Sequence, residues 1–136
     1  LGAIQYSDNE TVLHQDLTLL PHTRGVRSSW NYLVPMSSHS SAPIVTYWMN
    51  KLQGLPSKVP LLVTLNATDR IDPAKVIASM TYSHPVFDAV SVAAQRRLPS
   101  LSGGRTAFAG AYHGWGFHED GCRSGVAAAE ALGVSW

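Results

Sequence analysis

Residues 109–121 gather the side chains best suited to chemistry: four glycines, two histidines, three aromatics and two carboxylates within thirteen positions. A metal site is one reading. His113, His118 and Glu119 carry ligand atoms, but their spacing matches neither the helical i, i+4 histidine pair nor the Cys/His patterns of zinc sites. A nucleophile is another. Cys122 in the first turn of a helix would have a lowered thiol pKa, with His118 as its base. The alternative for Cys122 is a small buried residue packing a close helix. Phosphate binding is a third. Gly114-Trp115-Gly116 opens like a dinucleotide fingerprint, but Glu119 stands where the third glycine belongs and no βαβ unit precedes it. No complete fingerprint of that kind occurs in the chain.

The elements that position this segment read as follows. Gly2–Tyr6 is a short apolar run closed by a turn at Ser7-Asp8-Asn9, and Thr11–His14 is a further strand candidate. Val26–Val34 alternates, with Trp30 and Tyr32 on one face, as a half-buried strand does. Residues 35–43 read as loop. Ile44–Met49, Leu61–Leu65 and Val76–Tyr82 are β-forming runs. Leu61–Leu65 lacks alternation and is expected to be buried on both faces. Asp88–Leu98 reads as a helix, Thr106–Ala109 as a short strand, and Gly121–Leu132 as an Ala-rich helix with Asp120 at its N-cap and Gly133 after its end. Gly121, Ser124, Gly125, Ala128 and Ala129 give that helix a face of small side chains, suited to the close approach of another backbone or a flat ligand. The expected fold class is α+β. A mostly antiparallel sheet of four or five strands is followed by helix, short strand and C-terminal helix. Two parts are expected: residues 1–98, the sheet and first helix, and residues 99–136, a strand–loop–helix.

Composition excludes more than it assigns. Ten basic and nine acidic residues leave a net charge of +1, which gives no footprint for nucleic acid. No apolar run reaches the roughly 18 residues of a membrane span. One cysteine forms no internal disulfide, so a reducing, cytoplasmic setting is the default. Asn9-Glu10-Thr11 and Asn66-Ala67-Thr68 match the glycosylation tripeptide, a pattern common by chance. Charged residues make up 14% of the chain, against about 25% in a typical domain. A neutral surface rich in Ser, Thr and Asn explains that; so does a face that belongs against another polypeptide. Leu rather than Met at position 1 suggests part of a longer protein.

Phe108-Ala109-Gly110, followed by Glu119-Asp120-Gly121-Cys122-Arg123-Ser124-Gly125-Val126-Ala127-Ala128-Ala129, resembles the C-terminal flavin-contacting motif of the amine oxidase and carotenoid desaturase superfamily. Glu119, Ser124, Gly125, Ala128 and Ala129 match it, whereas Asp120 and Gly121 replace its Gly-Ala pair. Leu13–Asp16, Ser29–Tyr32, Tyr47–Gln53, Val63–Asn66, His84–Asp88 and Gly116–Gly121 resemble a narrower branch of amine-oxidase-like FAD/NAD-binding proteins. That branch is similar also to the oxidoreductase half of plant cyclopropane fatty acid synthases.

The resemblance implies the C-terminal part of an FAD-dependent oxidoreductase whose Gly-rich ADP-binding fingerprint lies in an absent N-terminal domain. It implies flavin contacts from Gly110, Glu119, Asp120 and Gly121, with Asp120 either bonding the cofactor or capping its own helix. It implies substrate contacts from Trp30, Asn31, Trp48 and Asn50 on the sheet, to a small organic substrate. By itself the chain is then expected to be inactive and to bind FAD weakly or not at all. Its undercharged face would meet the missing domain, or a second copy. A different class of function stays open: a non-catalytic assembly module docking a partner through a neutral aromatic surface. A metal-dependent hydrolase using His113, His118 and Glu119 is a third reading.

Overall fold

The structure, a computed structural model, describes residues 1–34 and 44–135; the loop expected at 35–43 lies outside them. The fold is α+β. Five strands form one sheet, ordered β2-β3-β4-β1-β5. They are β1 (Tyr6–His14), β2 (Trp30–Leu33), β3 (Ile44–Trp48), β4 (Leu62–Leu65) and β5 (Val76–Pro85). The pairs β1–β4, β2–β3 and β3–β4 are antiparallel. Among the described residues there are three α-helices: the single turn α1 (Met49–Leu52), α2 (Ala89–Gln95) and α3 (His118–Ala131). The described residues divide into two compact units, Asp8–Tyr82 on one side and Leu1–Ser7 with Ser83–Trp136 on the other.

In the Asp8–Tyr82 unit the register sets the faces. Val12, Thr64, Thr46 and Asn31 stand in one cross-strand row, and His14, Leu62 and Trp48 in another on the same face. Ile44, Thr46, Leu62, Thr64, Val12 and His14 are buried there. Ala67, Ile71 and Leu19 close an apolar cluster with Val12 and Ile44. The opposite face carries Trp30, Tyr32, Val45, Tyr47, Val63 and Leu65, all more open to solvent. Leu61–Leu65 is therefore not buried on both faces: β4 alternates buried and half-buried residues. A strand paired on both sides in an antiparallel sheet needs only one covered face.

The buried face holds an unusual amount of polarity, and its threonines and His14 are linked to one another. His14 Nε2 lies 2.7 Å from Thr64 Oγ1, and Thr64 Oγ1 lies 2.9 Å from Thr46 Oγ1. Asp16, buried just beyond β1, accepts from the Asp72 N–H at 3.0 Å, from the Thr18 hydroxyl at 2.9 Å and N–H at 3.2 Å, and from Lys75 Nζ at 3.2 Å. Burial pushes its carboxyl up, but the Asp72 and Thr18 N–H groups, the Thr18 hydroxyl and the Lys75 ammonium outweigh it and hold the group far below the usual carboxylate range.

Several boundaries differ from the sequence expectation. Ser7-Asp8-Asn9 is not a turn but the interior of β1. Residues 24–26 form a 3-10 turn, so β2 starts only at Trp30. Thr106–Ala109 is not a strand. Gly103 and Thr106 make one isolated bridge, and the Phe108 N–H is taken by Ser102 Oγ at 3.2 Å, so no ladder extends from it. The Asp88–Leu98 helix is shorter. Asp88 Oδ1 accepts from the Ser91 N–H at 2.7 Å and Ser91 Oγ from the Asp88 N–H at 2.8 Å, a reciprocal cap. The helix ends at Gln95, and buried Leu98 opens a separate 3-10 turn. Among the described residues no helix is long and apolar enough to cross a membrane.

Candidate functional site

In the Leu1–Ser7/Ser83–Trp136 unit, residues 110–121 form a loop that turns into α3. The N-cap is Phe117, three residues earlier than expected. Asp120 is not the cap residue but reaches back from the helix's first turn. Its Oδ2 accepts from the Trp115 N–H at 2.9 Å and the Phe117 N–H at 3.1 Å, while Arg123 donates to Oδ1. A sequence search for a capping residue finds this half of the motif only in its acidic member, because Phe117 has no side-chain acceptor. The Trp115 and Phe117 N–H groups, with Arg123, hold the Asp120 carboxyl below its ordinary range. Of the two roles open to Asp120, the helix-organising one is the one its contacts fill.

The glycines here serve the loop's own packing. A Cβ on Gly114 would lie 2.8 Å from the Asp120 Cβ and overlap its carboxylate. Gly110 has φ +156°, and a Cβ there would lie 2.7 Å from Tyr112 Cδ1. Ser124 Oγ accepts from the Gly110 N–H at 2.9 Å and lies 2.8 Å from the Gly121 carbonyl oxygen. Gly121 faces the Ala111 backbone. The N-terminal part of the small-residue face of α3, Gly121 and Ser124, is thus met by backbone from the 110–111 turn. Gln95 of α2 fastens the other side of the loop by donating to the carbonyls of Tyr112 and Gly114. Neither Gln95 nor Arg123 carried any sequence signal, since each acts through backbone that only the fold brings near.

What this arrangement leaves open is the start of α3. The first intrahelical bond runs from the Gly121 N–H to the Phe117 carbonyl, so the N–H groups of His118, Glu119 and Asp120 have no intrahelical acceptor. Glu119 is exposed. Trp115 and Phe117 flank this turn with 65% and 69% of their surface in solvent. Cys122 is exposed too, which corrects the expectation that it packs inside. It sits on the face of α3 opposite the Ser124 contact. His113 is half-buried, its Nε2 out of solvent with no hydrogen-bond partner among the described residues, and burial lowers its pKa. His113, Asp120, Arg123 and Ser124 border a cavity of about 180 Å³. Among the described residues no group of three or more His, Cys, Asp or Glu side chains could hold a metal ion.

The four residues expected at a substrate do not converge. Trp30 and Asn31 are neighbours in β2 and point to opposite faces. Trp30 is 53% exposed and stacks obliquely on Tyr32, ring centres 5.9 Å apart. Asn31 is occupied by the backbone: it accepts from the Ser28 N–H at 3.0 Å and donates to the Ser28 carbonyl at 2.8 Å. Trp48 and Asn50 do come together, on the wall of a second cleft with Arg24, Arg27 and Lys58. Asn50 builds that wall. It donates to the carbonyls of Ser57 and Val59 and accepts from the Leu61 N–H at 2.7 Å. The three cations were missed in the sequence because 34 positions separate Arg24 from Lys58.

No family model matches the chain, and the search of curated proteins finds no match.

Proposed function

We propose that this chain is the C-terminal part of an FAD-dependent oxidoreductase similar to flavin-containing amine oxidases, acting on a small organic substrate. The observation that supports this reading best is the open first turn of α3 between exposed Trp115 and Phe117. Free N–H groups and the positive end of a 14-residue helix suit an electron-rich ring edge. Flat apolar side chains beside them suit the ring faces. Bound there, a flavin would supply the hydride acceptor. The chain's own part is positional. Asp120, Ser124 and Gln95 hold the 110–121 loop so that the N–H groups of His118, Glu119 and Asp120 stay available. The half-open sheet face bearing Trp30, Tyr32 and Tyr47 is the surface this reading turns toward the FAD-binding part of the protein. The lone, exposed Cys122 fits a reducing, cytoplasmic compartment.

The test is FAD titration of this chain and of the whole gene product. The expected result is a yellow, FAD-retaining whole protein and weak or absent binding by the chain alone. A whole protein that neither carries nor binds flavin overturns the reading. Tight binding by the chain alone overturns the claim that the diphosphate site lies elsewhere.

A second reading is an assembly module. It is favoured by β2, an edge strand of the sheet among the described residues, which exposes Trp30 and Tyr32. Gel filtration over a concentration series separates the two, because a docking module self-associates or captures a partner without any flavin absorbance.

A further inference from the structure

We infer that the cleft between Arg24, Arg27, Trp48 and the 57–60 loop binds a small molecule carrying an oxyanion, a carboxylate or a phosphate, on a short apolar body. The cleft encloses about 320 Å³, at the small end of the range of ligand pockets. Its lining is Leu17, Arg24, Arg27, Trp48, Asn50, Ser57, Lys58 and Pro60. Three of these are cations and none is a carboxylate. Among the described residues no acidic side chain forms an ion pair with Arg24, Arg27 or Lys58. Cations gathered without a counter-charge repel one another, and a bound anion relieves that repulsion.

The cations are held by separate devices. The Arg27 Nε donates to the Pro21 carbonyl at 2.8 Å, which orients the guanidinium; its terminal nitrogens have no acceptor among the described residues. The Arg27 carbonyl in turn accepts from Lys51 Nζ at 2.9 Å. Lys58 rides on the loop that Asn50 pins through Ser57, Val59 and Leu61. An arginine fork presents paired N–H groups that match the two oxygens of a carboxylate or phosphate.

Trp48 lines the same cleft. Leu17, Pro60 and the indole of Trp48 offer apolar contact for the rest of the ligand. The inference does not rest on flavin binding; within the oxidoreductase reading it would make the substrate an anion.

The experiment follows the indole N–H resonances by NMR, with the Trp48 signal assigned through Trp48→Phe. The protein is titrated separately with inorganic phosphate and with hexanoate. A saturable shift of the Trp48 signal is expected with at least one probe. Phosphate alone acting identifies a phosphate site; hexanoate acting more strongly identifies a carboxylate with an apolar body. Arg24→Gln combined with Lys58→Gln, both exposed positions, is expected to weaken binding by about tenfold or more. Arg96→Gln, in the other unit, is expected to leave it unchanged. A Trp48 signal indifferent to both probes overturns the inference. So does binding that the double variant leaves intact.

Discussion

The backbone N–H of Asp16 donates to Nδ1 of His14 at 3.0 Å. That bond decides where the imidazole proton sits. Nδ1 is an acceptor, so Nε2 carries the hydrogen and gives it to Thr64 Oγ1, 2.7 Å away. Thr64 Oγ1 shares a further hydrogen bond with Thr46 Oγ1 at 2.9 Å, in which either hydroxyl can donate. The three side chains form a chain of hydrogen bonds whose first link is directed by a peptide group. A second proton on His14 would face the Asp16 N–H.

Stability should therefore fall on mild acidification. Burial holds the His14 pKa below its ordinary 6.5, against the opposing pull of the Asp16 charge. Folded His14 takes up a proton less readily than unfolded His14. The penalty is absent above the unfolded pKa and grows as pH falls below it. His113, also lowered by burial, acts in the same direction. Asp16, whose carboxyl is shifted far down, stays ionised throughout and adds nothing in this window. Urea denaturation at about pH 7.5 and about pH 5.5 should give a lower midpoint at the acid end, and His14→Gln should make the difference smaller. Equal midpoints for the wild-type chain would contradict the assignment.

Thr64→Val removes the central member of that chain of hydrogen bonds. The His14 Nε2–H then loses its acceptor in a dry site, and the Thr46 hydroxyl loses its partner. The expected cost is about 1–3 kcal/mol, read from denaturant midpoints. Thr46→Val, which leaves the His14–Thr64 bond in place, should cost less. The reverse order would show that the bond to Thr46, not the one to the imidazole, is what Thr64 chiefly serves.

Two glycines near α3 should respond in opposite senses to the same substitution. Gly114→Ala drives a methyl into the Asp120 carboxylate, which its bonds to Trp115, Phe117 and Arg123 hold in place. A loss of about 1–3 kcal/mol is expected. Gly125 lies inside α3 with nothing within 4 Å of a new Cβ. Gly125→Ala should raise stability by about 0.5–1 kcal/mol. Thermal melts of the two variants side by side check both.

Ser124→Ala should loosen the turn that precedes α3. It leaves the Gly110 N–H without its acceptor at 2.9 Å, at a cost of about 1–3 kcal/mol. Hydrogen exchange at Gly110 should quicken more than exchange across the sheet, since a local contact is lost rather than the whole fold. Uniform acceleration everywhere would mean that the serine supports global stability instead.

The sheet's centre was legible in the sequence because β3 and β4 are runs of β-branched and large apolar residues bounded by turn formers. The ends were not. Ser7-Asp8-Asn9 has every mark of a turn, yet pairing in the sheet overrides so weak a local preference. Thr106–Ala109 has the marks of a strand, but an extended segment without a neighbour to bond is not one. The face of small residues on α3 was readable because helical spacing alone places Gly121, Ser124 and Gly125 together. Gln95, Arg123 and the Arg24–Arg27–Lys58 group were not, since their meaning comes from backbone and loops far away along the chain. The flavin contacts expected of Gly110, Glu119, Asp120 and Gly121 rest on resemblance, and titration with FAD decides them.

The hydroxyls inside the sheet also answer a question of alignment. Alternation of apolar residues rejects a shift of β4 by one position, because the wrong side chains would turn inward. A shift by two passes that check. It would set Leu62 against Thr46 and Val12, and the imidazole proton of His14 would meet a methyl group. Threonine at positions 46 and 64 tells even displacements apart, so the choice of inward face and the stagger of β4 are written in different residues.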